Sequence, residues 1–129
     1  MVGIVIVSHS QKLAEGVVEV ARMMAHDAKI APAGGLENGE LGTSYEKILS
    51  ALEAVYSSDG AVIIMDMGSA VMTTEMVLED FDKPNVKMLD CPLVEGAVLA
   101  AVESVAGKTL EEISAHIDDA RTAKKFSAT

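Results

Sequence analysis

The chain has 129 residues, enough for one domain with a buried core and too few for two independent ones. Half of its residues are apolar but only 3% are aromatic and none is Trp, so the core has to come from Val, Ile, Leu, Ala and the 8 Met, the usage of helices packed on a sheet. A formal net charge of −10 argues against a nucleic-acid or anionic-membrane partner, and one cysteine, Cys91, excludes an internal disulfide framework and fits a reducing compartment.

Val2-Gly-Ile-Val-Ile-Val-Ser8 is a continuous β-branched run, the pattern of a strand buried on both faces and hence of the centre of a sheet. Over Gln11 to Ala25 the residues Leu13, Val17, Val20, Ala21 and Met24 recur at helical spacing, which predicts an amphipathic helix laying those side chains on the sheet. Ala28 to Ala33 predicts a weaker second strand closed by Gly34-Gly35, and Leu36 to Gly42 a glycine-rich loop. Thr43 and Glu46 have capping-box spacing and open a helix with Ile48, Leu49, Leu52 and Val55 as its buried stripe.

Gly60-Ala-Val-Ile-Ile-Met65 is a second strongly apolar strand, ending in Asp66-Met67-Gly68-Ser69 and followed by a helix from about Ser69 to Phe81. Val86 to Leu89 predicts a short fourth strand, then Asp90-Cys91-Pro92 and a helix from about Val94 to Ala106 stopped by Gly107. Thr109 and Glu112 repeat the capping-box spacing at the head of a last short helix through about Arg121, and 122–129 reads as a frayed tail of a single domain, 1–129. No apolar stretch of about 18 residues and no cleavable leader pattern occurs, so the expectation is a soluble cytoplasmic protein.

Strands alternating with helices imply a parallel sheet with right-handed crossovers, a three-layer α/β/α architecture. The two most apolar strands, the first and third, belong side by side at the centre, which gives the order 2-1-3-4 and places helices 1 and 2 on opposite faces. Ligands then bind in the crevice at the carboxyl ends of strands 1 and 3.

That crevice holds Ser8-His9-Ser10 and Asp66-Met67-Gly68-Ser69. A carboxylate on one imidazole nitrogen fixes the tautomer and leaves the other nitrogen free as nucleophile or base, so His9 and Asp66 form a candidate phosphoryl acceptor. Ser10 opens helix 1 while Gly68 and Ser69 open helix 3, and both N-termini aim unpaired N–H groups at an anion on that nitrogen. The glycine-rich stretch from Gly34 to Gly42 contains no lysine, so it makes no Walker loop, and no G-x-G-x-x-G follows strand 1; no site for ATP or a dinucleotide is expected. His26 and His116 read as solvated residues at helix ends, Cys91 as a small packing residue, and no spacing suggests a metal. Met65, Met67, Met72, Met76 and Met88 read as mostly core, with Met67 and Met72 near the crevice rim as an adaptable contact for a partner.

Val5-Ile-Val-Ser-His-Ser10 with Leu13-Ala-Glu-Gly16, Met65-Asp-Met-Gly-Ser-Ala70, and Pro92-Leu-Val-Glu-Gly96 closely resemble the phosphotransferase subunits of phosphoenolpyruvate-dependent dihydroxyacetone kinases, a family similar to the enzyme IIA domain of mannose-type sugar transport systems. The resemblance implies that His9 is transiently phosphorylated by the phosphocarrier HPr and passes the group to ADP on a separate nucleotide-binding subunit. Asp66 would orient the ring, with Ser10, Gly68 and Ser69 near the phosphoryl oxygens. It also implies a homodimer with no cofactor beyond the covalent phosphohistidine. Two other readings stand beside it: a mannose-type sugar transport IIA protein, and a non-catalytic anion-binding regulatory module. The first 30 residues carry three basic and three acidic side chains, so the whole excess of negative charge lies beyond them. His9 thus sits in a neutral segment ringed by acidic surface suited to steering a basic docking patch.

Overall fold

The run from Val2 becomes β1 (Gly3–Ser8), buried along its whole length because helices cover both faces toward which its side chains alternate. The computed structural model describes residues 1–126. After β1 come α1 (Gln11–Met24), β2 (Ile30–Gly34), α2 (Tyr45–Val55), β3 (Ala61–Met65), α3 (Ser69–Asp80), β4 (Val86–Leu89), α4 (Leu93–Val105), α5 (Leu110–His116) and α6 (Asp118–Thr122). The four strands form one parallel sheet in the predicted order β2-β1-β3-β4. Ile4, Ile6, Val62 and Ile64 meet α1 and α4 on one face, while Val5, Val7 and Ile63 meet Ile48 and Leu52 of α2 and Ala70 and Val77 of α3 on the other. Helices α1 and α2 therefore lie on opposite faces, which opens the crevice between the ends of β1 and β3.

Local differences from the sequence reading have packing causes. Helix α1 buries Ala14, Val17, Val18 and Ala21, whereas Leu13, Val20 and Met24, expected on the sheet, are exposed. Its neighbour α4 presents Ala97, Ala100 and Ala101, all fully buried. Small residues on both helices let the axes approach, and the larger side chains turn outward. In α2 the N-cap is Ser44, whose hydroxyl accepts from the Lys47 N–H at 3.2 Å; Thr43, expected in that role, bonds to Thr73 instead. Ala51 takes the place of the partly buried Leu49 in the buried stripe.

The second capping box forms as read, with reciprocal bonds between Thr109 and Glu112. The last helix, expected as one, breaks into α5 and α6 at Ile117, which is drawn into the core. Residues 123–126 have no regular structure, and the remainder of the predicted tail, 127–129, lies outside the described residues.

Thr74 on α3 is fully buried, and its hydroxyl has no partner among the described residues. A nearly isosteric Thr74→Val removes a desolvated hydroxyl, so it is expected to stabilise the fold by about 1 kcal/mol. The check is a higher denaturant midpoint at unchanged m.

Candidate functional site

The β1–β3 register pairs Val7 with Met65, so Ser8-His9 and Asp66 leave the sheet side by side. The Asp66 N–H extends the ladder by donating to the Val7 carbonyl at 3.1 Å. One Asp66 carboxylate oxygen, Oδ2, accepts from the Ser8 hydroxyl at 2.9 Å and from the His9 N–H at 3.0 Å. The other, Oδ1, accepts from the Met67 N–H at 2.7 Å and from His9 Nδ1 at 3.0 Å. Burial pushes the carboxyl pKa up, but the bonds from the His9 backbone and ring, Ser8 and Met67 outweigh it and hold the value below the ordinary 3.8.

A carboxylate only accepts, so Nδ1 carries the ring proton and Nε2 keeps its lone pair. Nε2 lies 2.5 Å from Ser69 Oγ, whose hydroxyl donates to it. The ring is 23% exposed, against 11% for the Asp66 side chain, so the nucleophilic edge faces the mouth and the orienting group lies behind it.

The crevice stands under two helix N-termini. Helices α2, α4, α5 and α6 each carry an acidic residue in the first turn. Helices α1 and α3 carry none. The two dipoles that face His9 are thus the ones left without a resident anion. Gly68 occupies the N-cap of α3 with no side chain to cap it, and a Cβ there would meet nothing within 4 Å, leaving room above the turn.

Ser10 is the N-cap of α1: its Oγ accepts from the Leu13 N–H at 3.1 Å, and its own N–H donates to Ser8 Oγ at 3.0 Å. The structure therefore brings His9, Asp66 and Ser69 into direct contact and sets Ser10 and Gly68 at the two helix starts around them. Helix α1 reaches this position because Gly34 lies beneath it; a Cβ at Gly34 would stand 2.5 Å from the Ser10 carbonyl and 2.7 Å from Ala14 Cβ.

Sequence reasoning set the glycine-rich loop aside for want of a lysine, yet residues 35–43 pack against the site. The Gly35 N–H donates to the Ser8 carbonyl at 3.1 Å and the Gly42 N–H to the His9 carbonyl at 2.9 Å. Gly35 adopts φ +69°, open to glycine without strain. Thr43 Oγ1 and Thr73 Oγ1 join the loop to α3 at 2.9 Å. The available signal was topological: the β2–α2 connection emerges at the carboxyl end of the strand beside β1.

The other candidates fall outside this constellation. Met67, Met72 and Met76 are 59, 70 and 56% exposed, against the expectation that they are mostly core, because Met67 lies in the turn before α3 and α3 itself buries only Ala70, Thr74 and Val77. Met65, Met67, Val71, Met88 and Cys91 line a groove of 380 Å³ between α3 and the end of β4, continuous with Asp66 and Gly68. Burial, then the charge of Asp90, pushes the Cys91 thiol up to about 11, so it stays protonated and packs beneath Gly96. His26 is almost fully exposed, and His116 is bound at Nδ1 by Glu103 at 2.9 Å. Among the described residues no helix is long and apolar enough to cross a membrane.

A family model described as PTS system fructose IIA component matches residues 3–114. The chain is 39% identical over 116 residues to the PTS-dependent dihydroxyacetone kinase phosphotransferase subunit DhaM of Lactococcus lactis, covering 90% of this chain and 93% of that one. It is 38% identical over 120 residues to the phosphoryl donor subunit DhaM of Escherichia coli, where it spans only 25% of that protein's length. A solved structure described as unknown function protein EF1359 superposes with a TM-score of 0.82 at 29% identity, covering 96% of each chain.

Proposed function

The chain belongs to the PTS fructose IIA component family, and from that premise we propose that it is a phosphohistidine phosphotransferase, the phosphoryl donor subunit of a dihydroxyacetone kinase. His9 is the phosphoryl station of this domain, and no other cofactor is required. The observation that carries this reading is the pairing of His9 Nδ1 with Asp66 at 3.0 Å, which leaves Nε2 as the lone-pair nitrogen under two helix N-termini free of acidic first-turn residues.

In the first half-reaction Nε2 attacks the phosphorus of phospho-HPr. The Nε2–P bond forms as the P–N bond to the HPr histidine breaks, and that histidine keeps the electron pair. The Ser69 hydroxyl gives up Nε2 and turns to a phosphoryl oxygen, which Ser10 and Gly68 also approach from the helix starts. With Nδ1 still protonated, the phosphorylated ring is cationic, and the ionised Asp66 carboxylate offsets that charge. In the second half a terminal oxygen of ADP, held on the nucleotide-binding subunit, attacks the phosphorus and returns the electron pair to Nε2. Both transfers depend on in-line placement and charge stabilisation more than on covalent assistance.

Two unlike proteins have to cover the same crevice in turn. The exposed Met67, Met72 and Met76 supply an adaptable apolar contact beside it, and the net charge of −10 suits a basic patch on HPr. In this reading the protein is a cytoplasmic homodimer.

The test is incubation with phosphoenolpyruvate, enzyme I and HPr, followed by intact mass measurement in alkaline solution that preserves phosphohistidine. The expected result is a gain of one phosphoryl group, lost again on adding the nucleotide-binding subunit loaded with ADP. No gain supports an anion-binding module instead. A group released only to a IIB protein supports a sugar transport component.

A further inference from the structure

His9 is gripped from two sides that are far apart in the chain. Asp66 and Ser69, on the β3–α3 turn, hold the two ring nitrogens at 3.0 and 2.5 Å. Gly42, in the loop between β2 and α2, holds the backbone carbonyl at 2.9 Å. Loop and helix are themselves joined by the half-buried Thr43 and Thr73 hydroxyls at 2.9 Å. Thr73 stands four residues after Ser69, on the same face of α3. The contacts close a ring that runs from the His9 carbonyl to Gly42, Thr43, Thr73, Ser69 and back to His9 Nε2.

We propose that Thr43 and Thr73 are a pair of positioning residues that lock the glycine-rich loop onto α3 and thereby fix the aim of His9 Nε2 at an incoming phosphoryl group. The inference rests on the phosphotransferase reading. The pair touches no reacting atom. It acts by preventing the loop and the α3 turn from moving independently, because each holds a different part of the same histidine. The adjacent choice of N-cap agrees with it. Thr43 has the residue type and spacing to cap α2, yet Ser44 caps the helix and the Thr43 side chain is committed to Thr73. A loop with glycines at 34, 35, 39 and 42 has little intrinsic stiffness, so a tie next to Gly42 determines whether the His9 carbonyl is held steadily.

Thr43→Val and Thr73→Val keep the shape and remove the hydroxyl pair, and Thr43→Ser and Thr73→Ser keep the hydroxyls. Phosphoramidate serves as donor, since it needs no protein docking. The Nε2–P bond forms as the P–N bond of phosphoramidate breaks, and its nitrogen, already protonated in the donor, leaves as ammonia with the electron pair. Each valine variant is expected to lower the maximal labelling rate of His9 about tenfold at unchanged half-saturating phosphoramidate, because misaim costs rate and leaves anion binding intact. The double valine variant should be no slower than the slower single one, since both remove the same link, and the serine variants should restore the rate to within about twofold.

Hydrogen exchange at the Gly42 amide, read without any donor, should accelerate about tenfold in both valine variants. Valine variants that label at the wild-type rate, serine variants that fail to restore it, or an unchanged Gly42 amide would each overturn the positioning role. A wild-type protein that takes up no phosphoryl group at His9 is a separate result and overturns the phosphotransferase reading.

Discussion

His9→Ala is expected to abolish phosphoryl uptake completely while leaving the fold intact. The side chain sits at the mouth of the crevice, and its removal orphans nothing behind it. Asp66 keeps the Ser8 hydroxyl and the His9 backbone N–H on one oxygen and the Met67 N–H on the other. The bond from Gly42 to the residue 9 carbonyl also survives, because it is a backbone bond. The expected loss of stability is therefore about 1 kcal/mol or less. The chain has two other histidines: His26 is almost fully exposed, and His116, though held by Glu103, closes α5 just ahead of a helix whose first turn already carries Asp118 and Asp119. Intact mass after incubation with the phosphoryl donor chain should show no added group at all, with near-wild-type thermal unfolding. An alanine variant that still takes up the group would sink the assignment of His9.

Asp66→Asn is expected to be more damaging than its small change in shape suggests. All four groups around the carboxylate are donors or are set as donors by it: the Ser8 hydroxyl, the His9 and Met67 N–H groups, and His9 Nδ1. An amide has one accepting oxygen and one NH₂, so the two groups on the side its NH₂ takes lose their acceptor. If the NH₂ faces the ring, Nδ1 becomes the acceptor, the proton moves to Nε2, and the nucleophilic lone pair is lost. If it faces the other side, the Ser8 and His9 backbone contacts that end β1 are broken. The labelling rate should fall about ten-thousandfold, the scale of tautomer loss in a histidine held by a carboxylate. Asp66→Ala, which removes the orienting group without imposing the wrong tautomer, should retain more activity than asparagine. Equal rates for wild type and Asp66→Asn would remove the orienting role.

The same substitution carries a pH signature. Because the native Asp66 carboxyl titrates below its ordinary value, the unfolded chain binds the proton more readily than the native one. The stability contributed by the ionised group is fully present above about 3.8 and is lost as pH falls through the lower native value. The stability gap between wild type and Asp66→Asn, about 2 kcal/mol at neutral pH for a carboxylate hydrogen-bonded this heavily, should therefore close only in that acid range. Urea unfolding across that range reads it directly, and a gap that closes near neutrality would point to a different titrating group.

Much of this site was legible because the determinants are local. The β-branched run before Ser8 and the apolar run before Asp66 marked two doubly buried strands, and alternation with helices left few sheet orders to choose from. The pairing of His9 with Asp66 followed from that order alone, across 57 residues of chain. The surroundings of the pair were harder to read. Leu13, Val20 and Met24 have the periodicity of a buried stripe, and only the alanine surface of α4 shows why α1 turns them outward. Thr43 and Ser44 are equally competent caps, and what separates them lies elsewhere in the chain: Ser44 bonds to Glu37 and caps α2, while Thr43 bonds to Thr73, thirty residues further on.

The sequence by itself determined the four strands, the parallel sheet with its switch point, and which histidine and carboxylate would meet there, because residue type sets strand burial and the alternation of strands with helices limits the sheet order. Only the tertiary structure decided that Ser69 lies on Nε2, that a lysine-free glycine loop holds the His9 backbone, and that two threonines tie that loop to α3. Those contacts join segments that carry no mutual pattern along the chain. They arise when α2 and α3 pack side by side on one face of the sheet and bring their first turns together beside His9.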